Sequence, residues 1–413
     1  KFAAGKDRKL RIHTKAQALL NRPGDANVSP LAVYRHAAKA DSVQQRRPNV
    51  VLIMMESMSA KFMKHFGQSE TLTPFLDSLY TRSISFRNFY SAGIHTNHGL
   101  YATLYSFPAM MKRNLMKGSV IPRYSGLPTV LQENGYCNLF FMTHESQYDN
   151  MNAFLRTNGF DEIYAQENYP SEKVVNSFGV QDDFMYQYAL PILNERAGTG
   201  NPFFSVLLSI SNHPPYVIPP YFHPHSDVLE EQIVEYADWS IRQFMQAAEK
   251  QPWFDNTIFV FLGDHGKMVG TPECEMPQSY NHIPLMIYGK DIKPGVYDGF
   301  GGQVDVSPTL LGLLNISYLQ NNFGVNLLEE ERPCMFFTAD NLIGARDSVN
   351  MFIYSPDSQQ EFKYKLEEGK LRAATGTDEE AFRNLKDYCF SMLQSTESLV
   401  KEHKTLDKVS VKK

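Results

Sequence analysis

The chain has 413 residues, 43% of them apolar and 21% charged, with a formal net charge of −5. That is enough apolar material for a sizeable core, in one large domain or two to three smaller ones. The mild charge gives no footing for a nucleic-acid partner, and the apolar run "VVLIMM" falls far short of the ~20 residues a membrane helix needs.

Residues 1–48 read as a helical lead-in, with "LAVYRHAAKA" following the start signal Ser29-Pro30. The first fifteen residues carry Lys1, Lys6, Arg8, Lys9, Arg11 and Lys15 against Asp7. A membrane-proximal segment and a solvated arm both fit that composition. Five strand-length apolar runs follow: "NVVLIMM" (49–55), "CNLFFMT" (137–143), "PFFSVLLSIS" (202–211), "TIFVFLG" (257–263) and "PLMIYG" (284–289). Unbroken apolar runs suit strands buried on both faces. Between them lie helical patterns, among them "TPFLDSLYTRS", "LPTVLQENG", "DDFMYQYALPIL" and "EEQIVEYADWSIRQFMQAAEKQ". In the last of these Tyr236, Trp239 and Phe244 read as a core stripe. The alternation predicts an α/β domain with a mostly parallel sheet from about Pro48 to Leu328. Beyond it, "CMFFTADN", "SVNMFIYSP" and "FKYKLEEGKLRAA" predict a small antiparallel sheet, with a hairpin at "EEGK", and a helix from about Asp378 to Lys401. The four cysteines, Cys137, Cys274, Cys334 and Cys389, form no CxxC pair, which speaks against a zinc ribbon or thioredoxin-like site.

The buried strands end in chemistry. Glu56 follows the first, His144 the second, His213 the third, and Asp264-His265 the fourth. In open α/β sheets ligands bind outside the carboxyl ends of the strands, so these five side chains are expected in one crevice. Glu56, Asp264 and His265 form a mixed oxygen and nitrogen set that suits Mn²⁺, Mg²⁺ or Zn²⁺. "SAGIHTNHG" places Thr96 before an apolar helical run. A divalent ion taking the Thr96 oxygen as a further ligand would activate it as a nucleophile. The helix start would favour an anionic phosphate or sulfate group. The plain alternative for Thr96 is a helix cap.

"NVVLIMMES", "GIHTNHG", "THESQYDNMNAFLRTNGFDEIY", "SISNHPPY", "FLGDHG", "NHIPLMIYG" and "GGQVDVSPTLLGLL", in this order over residues 49–320, resemble the sulfatase-type domain of the alkaline-phosphatase superfamily, in its lipoteichoic acid synthase branch. The resemblance implies an alkaline-phosphatase-like fold: a helical connector (1–48) from a membrane region, a catalytic domain (49–328) with a mostly parallel sheet between helices, and a C-terminal antiparallel subdomain with a terminal helix (329–413). It implies that Glu56, Thr96, Asp264 and His265 hold one divalent metal, Mn²⁺ first and Mg²⁺, Zn²⁺ or Ca²⁺ as alternatives, with Thr96 as nucleophile. His144 and His213 then line the phosphate and leaving-group pocket, and either protonates the departing oxygen. His282 matches a position that helps hold a second metal in some relatives; a contact to substrate is the other reading. Asp149, Asn150 and His98 are further candidate substrate contacts.

Two departures qualify the resemblance. No C/S-x-P-x-R sequence is present, so no formylglycine is expected. "SQYDNMN" stands where lipoteichoic acid synthases carry Trp and Arg after the histidine matched by His144. The expected function is transfer of a phosphoglycerol-type headgroup from a phospholipid to an envelope glycan or lipid, through a phospho-threonine, on the extracytoplasmic side of a bacterial inner membrane. The alternatives are a phosphoethanolamine transferase, a hydrolase or phosphodiesterase using the same threonine, and a non-catalytic lipid-binding regulator.

Overall fold

The computed structural model describes residues 35–37, 47–118, 120–320, 322–367, 370–375, 379–401 and 405. Its centre is an eight-stranded sheet. In chain order the strands are Asn49–Met55 (β1), Ile84–Tyr90 (β2), Cys137–Met142 (β3), Glu162–Tyr164 (β4), Phe203–Leu208 (β5), Thr257–Gly263 (β6), Leu285–Tyr288 (β7) and Gly295–Gly302 (β8). They lie side by side as β8-β2-β7-β6-β1-β5-β3-β4. All neighbours are parallel except at β7, which runs antiparallel to both β2 and β6.

Strand β1 explains the layering. Successive side chains point to opposite faces, and all seven residues of this strand are buried. Val50, Leu52 and Met54 join one core with helices Thr96–Tyr105 (α1) and Leu127–Glu133 (α2), through Leu100, Leu104 and Leu131. Val51, Ile53 and Met55 join the other with helices Asp182–Ala197 (α3) and Leu229–Ala248 (α4), through Met185, Leu193, Val234 and Ile241. A sheet covered on both faces has no room for polar alternation, which is why its strands read as continuous apolar runs.

A second, five-stranded antiparallel sheet spans Met335–Thr338, Ile343–Arg346, Asn350–Ser355, Gln360–Glu367 and Lys370–Ala373. The helix Glu379–Lys401 packs on it, with Phe382, Leu385 and Cys389 in the same core as Phe336 and Phe352. That core is continuous with the α1 side of the main sheet. The four cysteines are all free thiols.

Three expectations are corrected. The helical reading of "LAVYRHAAKA" fails at Arg35–Ala37, a strand paired antiparallel with Tyr318–Gln320. Backbone pairing with a distant segment overrides a weak local propensity there. The rest of the expected lead-in, residues 1–34 and 38–46, lies outside the described residues, as does the tip of the "EEGK" hairpin at 368–369. Strands β2 and β8 carry no continuous apolar run and were not expected. Third, Trp239 is half-buried, whereas Tyr236 and Phe244 are in the core. Among the described residues, no helix is long and apolar enough to cross a membrane.

One buried ion pair ties the second sheet to the first. Arg332 donates from Nε to Asp305 Oδ2 at 2.9 Å and from a terminal nitrogen to Asp305 Oδ1. Asp305 also accepts from the Gly302 and Val325 N–H groups. Replacing Asp305 by Ala strands a buried guanidinium. The expected loss is about 3–5 kcal/mol of unfolding free energy, read as a lower urea midpoint at unchanged slope.

Candidate active site

Met55 and Gly263 are partners in the parallel β1-β6 ladder. The next residue on each strand is acidic, so Glu56 and Asp264 emerge side by side. Glu56 is 1% and Asp264 0% exposed. The loop between strand and site is fixed by Ser57, a non-glycine residue at φ 51°. This left-handed conformation is uncommon outside glycine. It lets the Ser57 N–H donate to Asp264 Oδ1 at 2.8 Å while its hydroxyl donates to Glu56 Oε1 at 2.7 Å. Asp264 Oδ1 also accepts from the His265 N–H at 2.6 Å. Asp264 Oδ2 is buried without a hydrogen-bond partner.

His265 completes the group. Its Nδ1 faces the Gly266 carbonyl at 2.7 Å, which fixes the proton on that nitrogen. Its Nε2 therefore offers a lone pair, 3.5 Å from Asp264 Oδ2 and 3.7 Å from Glu56 Oε1. Ligand atoms of Glu56, Asp264 and His265 all lie within 4.8 Å of one another. Burial, then repulsion from Asp264, pushes the Glu56 carboxyl well above its ordinary value. Two buried carboxylates with one orphaned oxygen and a correctly tautomerised imidazole are a donor set for a hard divalent cation.

Thr96 opens α1, so its side chain stands at the positive end of a ten-residue helix. Its hydroxyl donates to Glu56 Oε2 at 3.3 Å. The helix approaches the Asp264 loop closely because residue 99 is glycine: a Cβ there would sit 2.1 Å from the Asp264 carbonyl oxygen.

His144 and His213 stand at the same sheet edge. His144 is 2% exposed; its Nδ1–H donates to the Glu145 carbonyl at 3.0 Å and its Nε2 has no partner. Burial lowers its pKa. His213 Nδ1 lies 2.6 Å from the Pro214 carbonyl oxygen. An aromatic arc joins the two: His144 against Tyr148 at 4.7 Å, Tyr148 near Phe178 at 6.2 Å, and Phe178 against His213 at 4.1 Å.

The remaining expected contacts separate. Asp149 reaches the site, accepting from Asn97 Nδ2 at 3.0 Å and from Lys117 Nζ at 2.6 Å. Asn150 instead donates its amide to the Met116 carbonyl at 2.8 Å, tying a turn in which both 149 and 150 have positive φ. His98 is 3% exposed and packed under Gly93, and burial holds its pKa down to about 3. The placement of His282 differs from the expected ligand or substrate contact. Its Nε2 faces the Arg87 carbonyl at 2.8 Å, and its ring packs on Tyr90 and Phe66.

The "YNHIP" segment acts through its backbone. Gly266 N–H donates to the Tyr280 carbonyl, Ser91 N–H to Asn281, and Ala60 N–H to His282. It thereby joins the three loops that carry His265, Thr96 and Glu56. Gln303 does the same with its side chain, accepting from the Ala92 N–H at 2.9 Å and donating to the Gly263 and Asp264 carbonyls. Asn212 and Lys267 were also missed. Asn212 Nδ2 donates to the Glu56 and Ser57 carbonyls, and Lys267 Nζ donates to Asn212 Oδ1 and to Tyr216. Lys267 lies over the Phe62 and Tyr216 rings, and burial lowers its pKa to about 8. Their adjacency to "NH" and "GDHG" was the available signal.

A model of the sulfatase family matches residues 48–316, more than half of the chain. The chain belongs to the sulfatase family. This sulfatase-family chain is 24% identical to lipoteichoic acid synthase 2 of Bacillus subtilis, over 72% of its own length and 50% of that protein's. It is 26% identical to phosphoglycerol transferase I of Xanthomonas campestris, over 75% and 47% of the two chains. It thus spans about half the length of these relatives. Among solved structures, a protein of the alkaline phosphatase superfamily from Vibrio parahaemolyticus superposes with a TM-score of 0.84 at 25% identity, covering 98% of both chains. The lipoteichoic acid synthase LtaP of Listeria monocytogenes gives 0.74 at 22% identity, over 86% of this chain and 93% of that one. The fold is alkaline-phosphatase-like, and the curated relatives named here are a lipoteichoic acid synthase and a phosphoglycerol transferase.

The raised Glu56 carboxyl sets a pH test on metal-free protein. A carboxyl whose folded pKa lies above its ordinary 4.5 adds stability below that value and loses it as pH rises through the folded value. Metal-free protein is therefore expected to melt at progressively lower temperature as pH rises from about 4.5 through the folded value of Glu56, and Glu56→Gln to flatten this slope. Added Mn²⁺ is expected to raise the neutral-pH melting temperature of the wild type but not of Asp264→Ala.

Proposed function

We propose that this chain transfers a phospho-headgroup of the phosphoglycerol type from a phospholipid to a hydroxyl of an envelope glycan or lipid, with Thr96 as the nucleophile. The observation that carries this reading is the Thr96 hydroxyl at a helix N-terminus, 3.3 Å from the buried Glu56 carboxylate, within a group suited to a divalent cation. The names of the relatives from Bacillus and Xanthomonas support the substrate class. Glu56, Asp264, His265 and the Thr96 oxygen would hold the ion, Mn²⁺ or another hard divalent cation. When bound, it supplies Lewis-acid neutralisation of phosphoryl charge and lowers the threonine pKa.

The protein's groups divide the remaining work. Thr96 Oγ forms a bond to phosphorus, its proton leaving along the contact to Glu56, and the bond from phosphorus to the diacylglycerol oxygen breaks. The positive end of α1 faces the transferring group. A histidine at the sheet edge, His213 or His144, gives a proton to the departing oxygen. In the second half an acceptor hydroxyl bonds to phosphorus and the bond to Thr96 breaks, with the proton returned to Thr96. The same histidine then takes the acceptor's proton, so every group ends the cycle as it began; the buried His144 Nε2 has no hydrogen-bond partner that would compete for it. Asp149 and Lys117, beside Asn97, are placed to meet the headgroup's polar end. The reaction belongs on the extracytoplasmic side of a bacterial inner membrane, where donor and acceptor meet.

The test is the mass of the Thr96 peptide after incubation with Mn²⁺ and bacterial phospholipids. A phosphoglycerol adduct is expected, absent in Thr96→Ala and Asp264→Ala, and turnover in Thr96→Ala should fall by about 10³-fold or more. Turnover surviving in Thr96→Ala would overturn the covalent scheme.

A further inference from the structure

A cavity of about 790 Å³ opens between two segments that leave the carboxyl edge of the sheet. One wall is Glu70–Pro74, on the chain that leaves Glu56. The other is the stretch Tyr221–Asp227, which follows His213, together with the first turns of α4. The volume lies within the range of small-ligand sites.

The walls offer aromatic faces beside open hydrogen-bonding groups. Tyr221 is 57% exposed, and its ring, with that of Phe222, packs near the half-buried Trp239 at 6.2 and 5.5 Å. The Tyr221 hydroxyl is fixed on Asp183 Oδ2 at 2.8 Å, which sets the ring's orientation. Three lining carboxylates already serve the fold, Glu231 by accepting from the Ser226 hydroxyl. Asp238 accepts the Phe75 and Leu76 N–H groups, and Glu235 accepts those of His225 and Ser226. By contrast, the Glu70 and Asp227 carboxylates, the Trp239 indole N–H and the Arg242 guanidinium, whose charge is felt by Asp238, make no side-chain hydrogen bond to a described residue.

This mixture selects among ligand chemistries. Five lining carboxylates against one guanidinium repel an anionic phospholipid headgroup. A simple ammonium ion accepts no hydrogen bond, so it would leave Arg242 and the indole N–H without partners. A neutral sugar matches both kinds of group, because each hydroxyl both donates and accepts, and its C–H face lies on an aromatic ring. The geometry points to this cavity as a binding site for a neutral glycan, stacked on Tyr221 and Trp239 and held by Asp227, Glu70 and Arg242. Resting on the transferase reading, it is the acceptor's docking site. Its walls leave the same sheet edge as Glu56 and His213, while its charge keeps the donor out.

The experiment is calorimetric titration of the full chain with a panel of neutral gluco-oligosaccharides and N-acetylglucosamine oligomers, with glycerol phosphate and choline as controls. Saturable binding of a neutral oligosaccharide is expected, about tenfold weaker in Tyr221→Ala and in Asp227→Asn. Tyr221→Phe, which keeps the ring but loses its tether to Asp183, should bind between wild type and Tyr221→Ala, and circular dichroism checks that each variant is folded. Binding should persist in Thr96→Ala, so it is measured apart from transfer. No neutral binder in the panel, binding unchanged in both Tyr221→Ala and Asp227→Asn, or a preference for choline or glycerol phosphate overturns the proposal. An adduct on Thr96 without sugar binding would sink this site and leave the transferase reading standing; sugar binding without an adduct would do the reverse.

Discussion

The site rests on one electrostatic conflict. Two neighbouring parallel strands, β1 and β6, end in register, and each is followed by a carboxylate that emerges where no bulk water reaches. Like charges so placed cannot both ionise cheaply. Some relief comes from N–H and hydroxyl donors, which is why Ser57 adopts a left-handed backbone and why Asp264 gathers two amides on one oxygen. Those donors leave Asp264 Oδ2 unsatisfied. Local strain and an unspent oxygen of this kind concentrate at functional sites. A cation is the natural relief, and the lone pair on His265 faces the same space.

The Thr96 hydroxyl is drawn into the same conflict. Thr96 is held against Glu56 by a helix that can come close only because Gly99 has no side chain. The hydroxyl thus shares a carboxylate with the cation group, and the helix dipole adds a second positive influence on whatever anion binds. The histidines are divided by solvent access. His144 is sealed in, with burial lowering its pKa, and His213 stands nearer solvent.

Much of this was legible in the sequence, for a definite reason. A strand buried on both faces leaves a continuous apolar run, and the residue after it is marked by position. That is how Glu56, Asp264, His265 and His144 could be gathered without coordinates. The two strands on the far side of β7 were not legible. "ISFRNFY" mixes polar and apolar residues, with Arg87 exposed, and "GVYDGFGG" is glycine-rich with a register shift between Tyr297 and Phe300. The reversed direction of β7 leaves no trace in composition. Arg35–Ala37 pairs with a strand that begins at Tyr318, so no local window holds the information. Asn212, Gln303 and Lys267 act by bridging loops, and a bridge is visible only when both banks are in place. His282 sits in a motif that did matter, but through its backbone carbonyl rather than its ring.

The reversal of β7 has a mechanical consequence. An antiparallel strand starts at the edge where its neighbours finish, so the residues before β7 arrive at the active edge already anchored from below. Three separate loops are pinned to that one short stretch. They therefore share a common frame, and random displacement of one is carried by the others. The transfer we propose needs an attacking oxygen, a phosphorus and a departing oxygen on one line, and so depends on relative, not absolute, position. A frame that moves as one piece preserves alignment even while the surrounding surface fluctuates, and less of the barrier is spent on reorganising the protein at the moment of transfer.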